Sequence, residues 1–194
     1  MTSMAANYPI QLEVDPTAAQ GRLGVFFRII LAIPHLIILY FLGIAQFVIT
    51  FLAWFAIMFT GRYPAGMLGF SIGATRWQAR ANAYMSLLTG VYPPFSLDAE
   101  DDYPIRLMVA EQIEGRNRLT TFFRIFLIIP HYIILYFLGI VSFLIMVIAW
   151  FAALITGQVP QGLHTFLAGV TRWNTRLGGY WMLLVDEHPP YGFE

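Results

Sequence analysis

The chain has 194 residues, 58% of them hydrophobic and 11% charged, with no cysteine and a formal net charge of zero. These values exclude an ordinary water-soluble domain, a nucleic-acid binder driven by net positive charge, and any disulfide, thiolate nucleophile or thiolate metal site. Every basic residue is arginine, whose weakly hydrated guanidinium suits a lipid headgroup interface.

Residues 1–20 lack the basic, apolar and small-residue regions of a secretory signal, so the N-terminus reads as mature and cytoplasmic. Within them, YPIQLEV alternates: Ile10, Leu12 and Val14 point one way, Gln11 and Glu13 the other. Period two over 8–14 predicts a strand. A membrane run over 23–60 follows, interrupted only by Arg28, the pair Pro34-His35 and Gln46. Pro34 predicts a kink, because it lacks the donor an interior turn needs. From Leu36 to Phe59 the run makes about 36 Å of helix, against about 30 Å of bilayer hydrocarbon. Length permits one crossing. A helical hairpin turning near Phe41 to Gln46 is preferred, because it places every arginine on one side. A deep re-entrant wedge and a single crossing are the alternatives.

Residues 66–89 set Phe70, Trp77, Ala81, Tyr84 and Leu88 against Arg76, Gln78, Arg80 and Asn82, the pattern of an amphipathic interfacial helix. Gly66, Gly69 and Gly73 form a small-residue ridge on it. The exit YPPFSL at Tyr92 to Leu97 is joined by an acidic linker, 98–102, to a second alternating segment at 103–109, and these two segments are candidate hairpin partners.

From there the chain repeats itself. Arg22 to Phe95 aligns with Arg118 to Tyr191 without a gap and with over half of the pairs identical. Repeat 1 spans 1–97. Repeat 2 spans 103–194, with strand 103–109, membrane run 119–156 and interfacial helix 162–185. The expected fold is an all-α membrane protein of two pseudo-symmetric repeats. Each is a Pro-kinked transmembrane or re-entrant helical hairpin plus an amphipathic interfacial helix, flanked by short β-strands.

The candidate site residues come in repeat-related pairs. Arg28 and Arg124, each in FFRI, and the i, i+4 pairs Arg76 with Arg80 and Arg172 with Arg176 are candidates for lipid or anion binding, since like charges one turn apart favour an intervening anion. Trp54, Trp77, Trp150, Trp173 and Trp181 read as an interfacial aromatic belt. His35 and His131 are weak candidates for a metal or haem; the preferred reading is that each satisfies a carbonyl freed by the preceding proline. No catalytic residue and no metal site are expected. All eleven acidic residues lie outside the membrane runs, which argues against ion-coupled transport.

The combination FFRI..IPH...LYFLG, AWFA...TG, TRW..R...Y..LL and YPPFSL resembles the bacterial membrane proteins of domain-of-unknown-function family 4389, here in two tandem copies from Phe26 to Leu97 and Phe122 to Tyr191. Repeat 2 departs from it at Gln158-Val159 and His188. The resemblance implies a small bacterial inner-membrane protein with its soluble parts on the cytoplasmic side and adds no catalytic residue. The expected function is non-enzymatic: an accessory or scaffolding subunit of a membrane assembly or homo-oligomer, with membrane lipids and other subunits as partners, bound lipids in place of a cofactor, and no nucleic acid. A lipid- or hydrophobic-ligand-binding protein and a haem- or quinone-associated electron-transfer subunit are the alternatives.

Overall fold

A computed structural model describes residues 8–193. The N-terminal reading of residues 1–7 lies outside them. The elements are β1 (Ile10–Val14), α1 (Arg22–Phe26), α2 (Arg28–Thr60), α3 (Ala65–Met85), β2 (Ile105–Val109), α4 (Arg118–Thr156) and α5 (Gln161–Trp181).

The expected helical hairpin does not form in either apolar run. α2 passes through residues 41–46 without a turn, and α4 is unbroken over 39 residues. The runs offer little polar character at the turn, only Gln46 and Ser142, and a turn would expose backbone groups that continuous helix satisfies internally. Pro34 and Pro130 are carried inside the helices. In repeat 1 the interruption at Phe27 is slight, because its N–H still reaches the Leu23 carbonyl at 2.9 Å and its own carbonyl accepts from Leu31 at 2.9 Å. Each long helix ends at a glycine in the left-handed region, Gly61 (φ 70°) and Gly157 (φ 79°), the conformation a helix C-terminus needs and glycine adopts without cost. Asn117 caps α4, its side chain accepting from the backbone of Leu119 and Thr120.

Three layers result. α2 and α4 form the first, α3 and α5 the second, β1 and β2 the third; α2 packs on α3, α4 on α5, α3 on α5, and the strands on α3 and α5. The strands pair with each other, antiparallel, with Leu12 opposite Leu107 and Glu13 opposite Arg106. This replaces the expected hairpin of Tyr92–Leu97 with 103–109: Pro93 and Pro94 cannot donate to a ladder, whereas the two alternating segments match in length and pattern. Ile10, Leu12, Ile105 and Leu107 turn inward, and Glu13 and Met108 outward.

α3 and α5 are largely buried rather than laid along an outer surface. They lie between the other layers, with Arg80 and Arg176 buried. Small residues make this possible. A methyl group at Gly73 would stand 2.9 Å from both the Cβ and the carbonyl oxygen of Leu97, and one at Gly169 would stand 2.6 Å from the Cβ of Phe193, whereas Gly66 and Gly69 face open space. Gly73 alone of the ridge, with its counterpart Gly169, therefore serves the close approach of each repeat's own exit segment. Gly73→Ala is expected to cost about 1–3 kcal/mol by forcing the 92–98 segment outward. Gly69→Ala should be neutral or stabilising by up to about 1 kcal/mol through helix propensity. Denaturant unfolding in detergent micelles compares the two, and equal effects would refute the assignment.

Among the described residues, α2 and α4 are long and apolar enough to cross a membrane, and only 11% of the most apolar window of each is buried. A soluble core helix of that composition would be mostly buried. Here Leu23, Ile29, Phe59 and Ile155 are each more than 70% exposed.

Candidate functional site

Arg28 and Arg124 occupy matched positions. Each is buried, lies over a tyrosine ring (Tyr84 at 4.4 Å, Tyr180 at 4.1 Å) and donates to that tyrosine's own carbonyl at the end of α3 or α5. The last carbonyls of a helix lack intrahelical donors and carry partial negative charge, so a guanidinium there is well placed. The next turn is strained: Leu87 and Leu183 both have φ 63°. A leucine in the left-handed region costs roughly 1–2 kcal/mol. Complete burial of both side chains offsets it, and Leu88 N–H to Ala83 carbonyl (3.0 Å) and Leu184 N–H to Gly179 carbonyl (2.9 Å) close the helix end.

The two copies differ in counter-charge. In repeat 2 the Asp186 carboxylate accepts from Arg116 (2.8 and 3.0 Å), Arg124 (3.1 Å) and the Asn117 backbone (2.7 Å). In repeat 1 the matching positions hold Gln20 and Gly90. The Gln20 amide oxygen accepts from Arg28 at 2.6 Å, its nitrogen donates to Leu87 at 2.9 Å, and a Cβ on Gly90 would press on Gln20 at 3.2 Å. An amide and a glycine thus take the place of an arginine and an aspartate. Neither Asp186, Arg116 nor Gln20 was a sequence candidate, although the repeat alignment exchanges both partners together.

His35 and His131 each accept a hydrogen bond at Nδ1 from an indole, Trp77 and Trp173 respectively, at 3.0 Å. An indole nitrogen only donates, so Nδ1 presents its lone pair and the ring proton sits on Nε2. Neither nitrogen then offers a lone pair to a metal. His35 stacks on Phe95 (4.2 Å, 8° between planes) and His131 on Tyr191 (4.0 Å, 6°). Tyr92 completes the first box and His188 the second. Each histidine is thus enclosed within its own repeat. Among the described residues no group of three or more His, Cys, Asp or Glu is placed to hold a metal ion.

The remaining candidates divide. Trp77 and Trp173 are buried in these boxes rather than at a surface. Trp54 and Trp150 tie the repeats together, donating to the Thr121 and Val25 carbonyls at 3.2 and 3.0 Å. Arg80 donates to the Ser96 carbonyl and Arg176 to that of Gly192, at 2.7 Å; burial pushes the Arg80 guanidinium down from its ordinary value, with Glu100 opposing. Arg172 reaches the Leu12 carbonyl at 3.1 Å, and Arg76 is half-buried beside Asp98 and Glu100 in a cleft against β2. Arg80, Arg172 and Arg176 therefore anchor the exit segments and β1 to the helices.

One apolar cavity of about 610 Å³ lies between the repeats. Leu39, Leu42, Gly43, Phe47 and Phe51 of α2 form one wall, and Ile125 of α4, Trp181 at the end of α5 and Met182 just beyond it the other. Gln46, Thr50, Gln78, Thr121 and Arg124 give it a polar flank. Its size lies within the range of small-molecule sites, and a mainly apolar wall with few polar groups is their usual chemistry.

The family model described as Domain of unknown function (DUF4389) matches residues 22–96 and again 118–192. No curated protein and no solved structure matches the chain.

Proposed function

The chain belongs to the DUF4389 family, in two tandem copies, and we propose that it is a non-enzymatic integral membrane protein that holds a lipid acyl chain in the cavity between those copies. The observation that carries this reading is the cavity of about 610 Å³, apolar on its helix walls and polar along one flank. An unbranched chain fills such a space without hydrogen-bond requirements, while a glyceride or acid head meets Gln46, Thr50 or Thr121 at the flank. The outer faces of α2 and α4, exposed and apolar over their whole length, support embedding in lipid. In a bacterial host this is the cytoplasmic membrane. The accessory-subunit reading ranks second, because those outer faces carry Ile, Leu, Phe and Val without a charged residue to specify a partner.

The test is lipid extraction and mass spectrometry of protein purified in mild detergent. The wild type is expected to carry a near-stoichiometric lipid. Gly43→Leu places a side chain where the backbone lines the cavity and nothing now stands within 4 Å. It should lower retention about tenfold, equivalent to ~1.4 kcal/mol of lost affinity, with unfolding unchanged. Lipid-free wild-type protein, or equal retention by the variant, would sink the reading.

A further inference from the structure

We propose that α2 and α4 lie along one leaflet of the bilayer rather than across it, with their outer faces in hydrocarbon and the strand layer in water; this rests on the membrane reading above.

The burial phase of α2 is the first observation. Arg28, His35, Gln46, Ala53 and Ile57 are buried on one face, while Ile29, Ile37, Phe41 and Phe59 are more than half exposed away from it. The stripe keeps its phase from one end of the helix to the other, so α2 rests on the protein along its length. α4 repeats the pattern, with Arg124, His131, Ala149 and Ala153 inward and Ile133, Tyr136, Phe143 and Phe151 outward.

Length is the second. At 1.5 Å per residue, α2 and α4 are about 50 and 58 Å long, against about 30 Å of hydrocarbon. A straight rod of 50 Å fits that thickness only at a tilt beyond the usual range of up to about 40°. Hydrocarbon would be filled and apolar surface left in water on both sides.

The position of the charged layer is the third. α2 starts beside the end of α4, where the Gln20 N–H donates to the Gly157 carbonyl at 2.8 Å. It finishes beside the start of α4, where the Arg116 N–H donates to the Gly61 carbonyl at 3.1 Å. The strand ribbon runs between the same two ends: the Tyr103 hydroxyl bonds the Val91 carbonyl at one, and the Tyr8 hydroxyl bonds the Glu187 carbonyl at the other. Standing α2 upright would therefore carry Arg106 and its partners Glu13 and Asp15, on the outward side of that ribbon, into the bilayer. Charged groups at that depth are costly and need a partner shielded from lipid. Laying α2 flat leaves all of them in water, and the exposed Arg22, Arg62 and Arg118 at the helix ends then meet headgroup phosphates.

The chain contains no cysteine, so single-cysteine variants report position directly. Arg62→Cys marks the end of α2, and Asp101→Cys marks the opposite end of the layers. Full-length protein in right-side-out and inverted membrane vesicles is treated with a membrane-impermeant maleimide. Both sites are expected to react in the same preparation and to be protected in the other. Reaction of the two sites in opposite preparations would overturn the in-plane seating and leave the membrane reading intact. Flotation of the same protein with phosphatidylethanolamine–phosphatidylglycerol vesicles tests that reading separately, and failure to float would overturn both. A depth probe adds a second readout. Fluorophores at Ile29→Cys, Phe41→Cys and Phe55→Cys should be quenched alike by lipids spin-labelled at one acyl position, whereas a crossing helix would show its middle deep and its ends shallow.

Discussion

Asp186→Ala is expected to destabilise the protein by about 3–5 kcal/mol, the cost of removing one partner from a buried ion pair. The Arg116 side chain is fully buried and that of Arg124 is 3% exposed, and Asp186 is the carboxylate that both contact. Without it, two guanidiniums face each other across the end of α5 with only carbonyl oxygens as partners. Repeat 1 indicates how the loss can be relieved, because Gln20 and Gly90 occupy the matching positions and leave one buried guanidinium, Arg28, bonded to neutral oxygens alone. The double change Arg116→Gln with Asp186→Gly should therefore cost less than Asp186→Ala, although it removes two side chains. Glutamine keeps the bond to the Leu183 carbonyl that Arg116 makes at 2.6 Å, as Gln20 does to Leu87. Chemical unfolding in detergent micelles, followed by tryptophan fluorescence, ranks the three proteins. A single variant within about 0.5 kcal/mol of wild type would show that the carboxylate is dispensable, that being the range of ordinary surface substitutions. A double variant less stable than the single would remove the equivalence of the two repeats.

Trp77→Ala should cost a similar amount, about 3–5 kcal/mol, since it empties a buried aromatic site. It also leaves the His35 Nδ1 lone pair without its 3.0 Å donor. His35→Ala should cost less by area, yet it strands the indole N–H and removes the ring stacked on Phe95 at 4.2 Å. The informative quantity is the coupling in a double-mutant cycle, expected at about 0.5–3 kcal/mol for residues in direct contact. Coupling near zero would mean that the bond contributes nothing beyond packing. The cycle bears on chemistry as well. If the lone pair of Nδ1 is held by the indole, Trp77→Ala is the change that would release it, and a visible absorbance band arising in that variant with added haem, but not in the wild type, would measure the effect directly.

The gapless repeat, the two apolar runs and the two alternating strands were all legible in the sequence, because hydrophobic periodicity and self-similarity are local properties of the chain. The hairpin turns were not. They were inferred from the sidedness of arginines, on the premise that polar groups on one side require the chain to return through the bilayer. Helices lying flat, as proposed above, would satisfy the same sidedness without any turn, and α2 passes straight through Gly43. The arginines themselves were read by type and spacing as ligands for lipid phosphate. The burial of Arg28, Arg80, Arg124 and Arg176, the first three bonded to backbone carbonyls, depends on which segments fold over them, and spacing does not encode that.

By itself, the sequence determined that this chain is two copies of one unit and that each copy carries an apolar helix too long and too greasy for a soluble core. Those facts follow from composition and order alone, since burial of apolar surface is dictated residue by residue. The tertiary structure decided what the polar residues inside those units do. It paired β1 with β2 across the repeats, gave His35 to Trp77 and His131 to Trp173, and set Asp186 between Arg116 and Arg124. Hydrogen bonds and ion pairs are short-ranged and directional, so their partners are fixed only once distant segments are brought together, here by the stacking of three layers with the apolar surface left on one side.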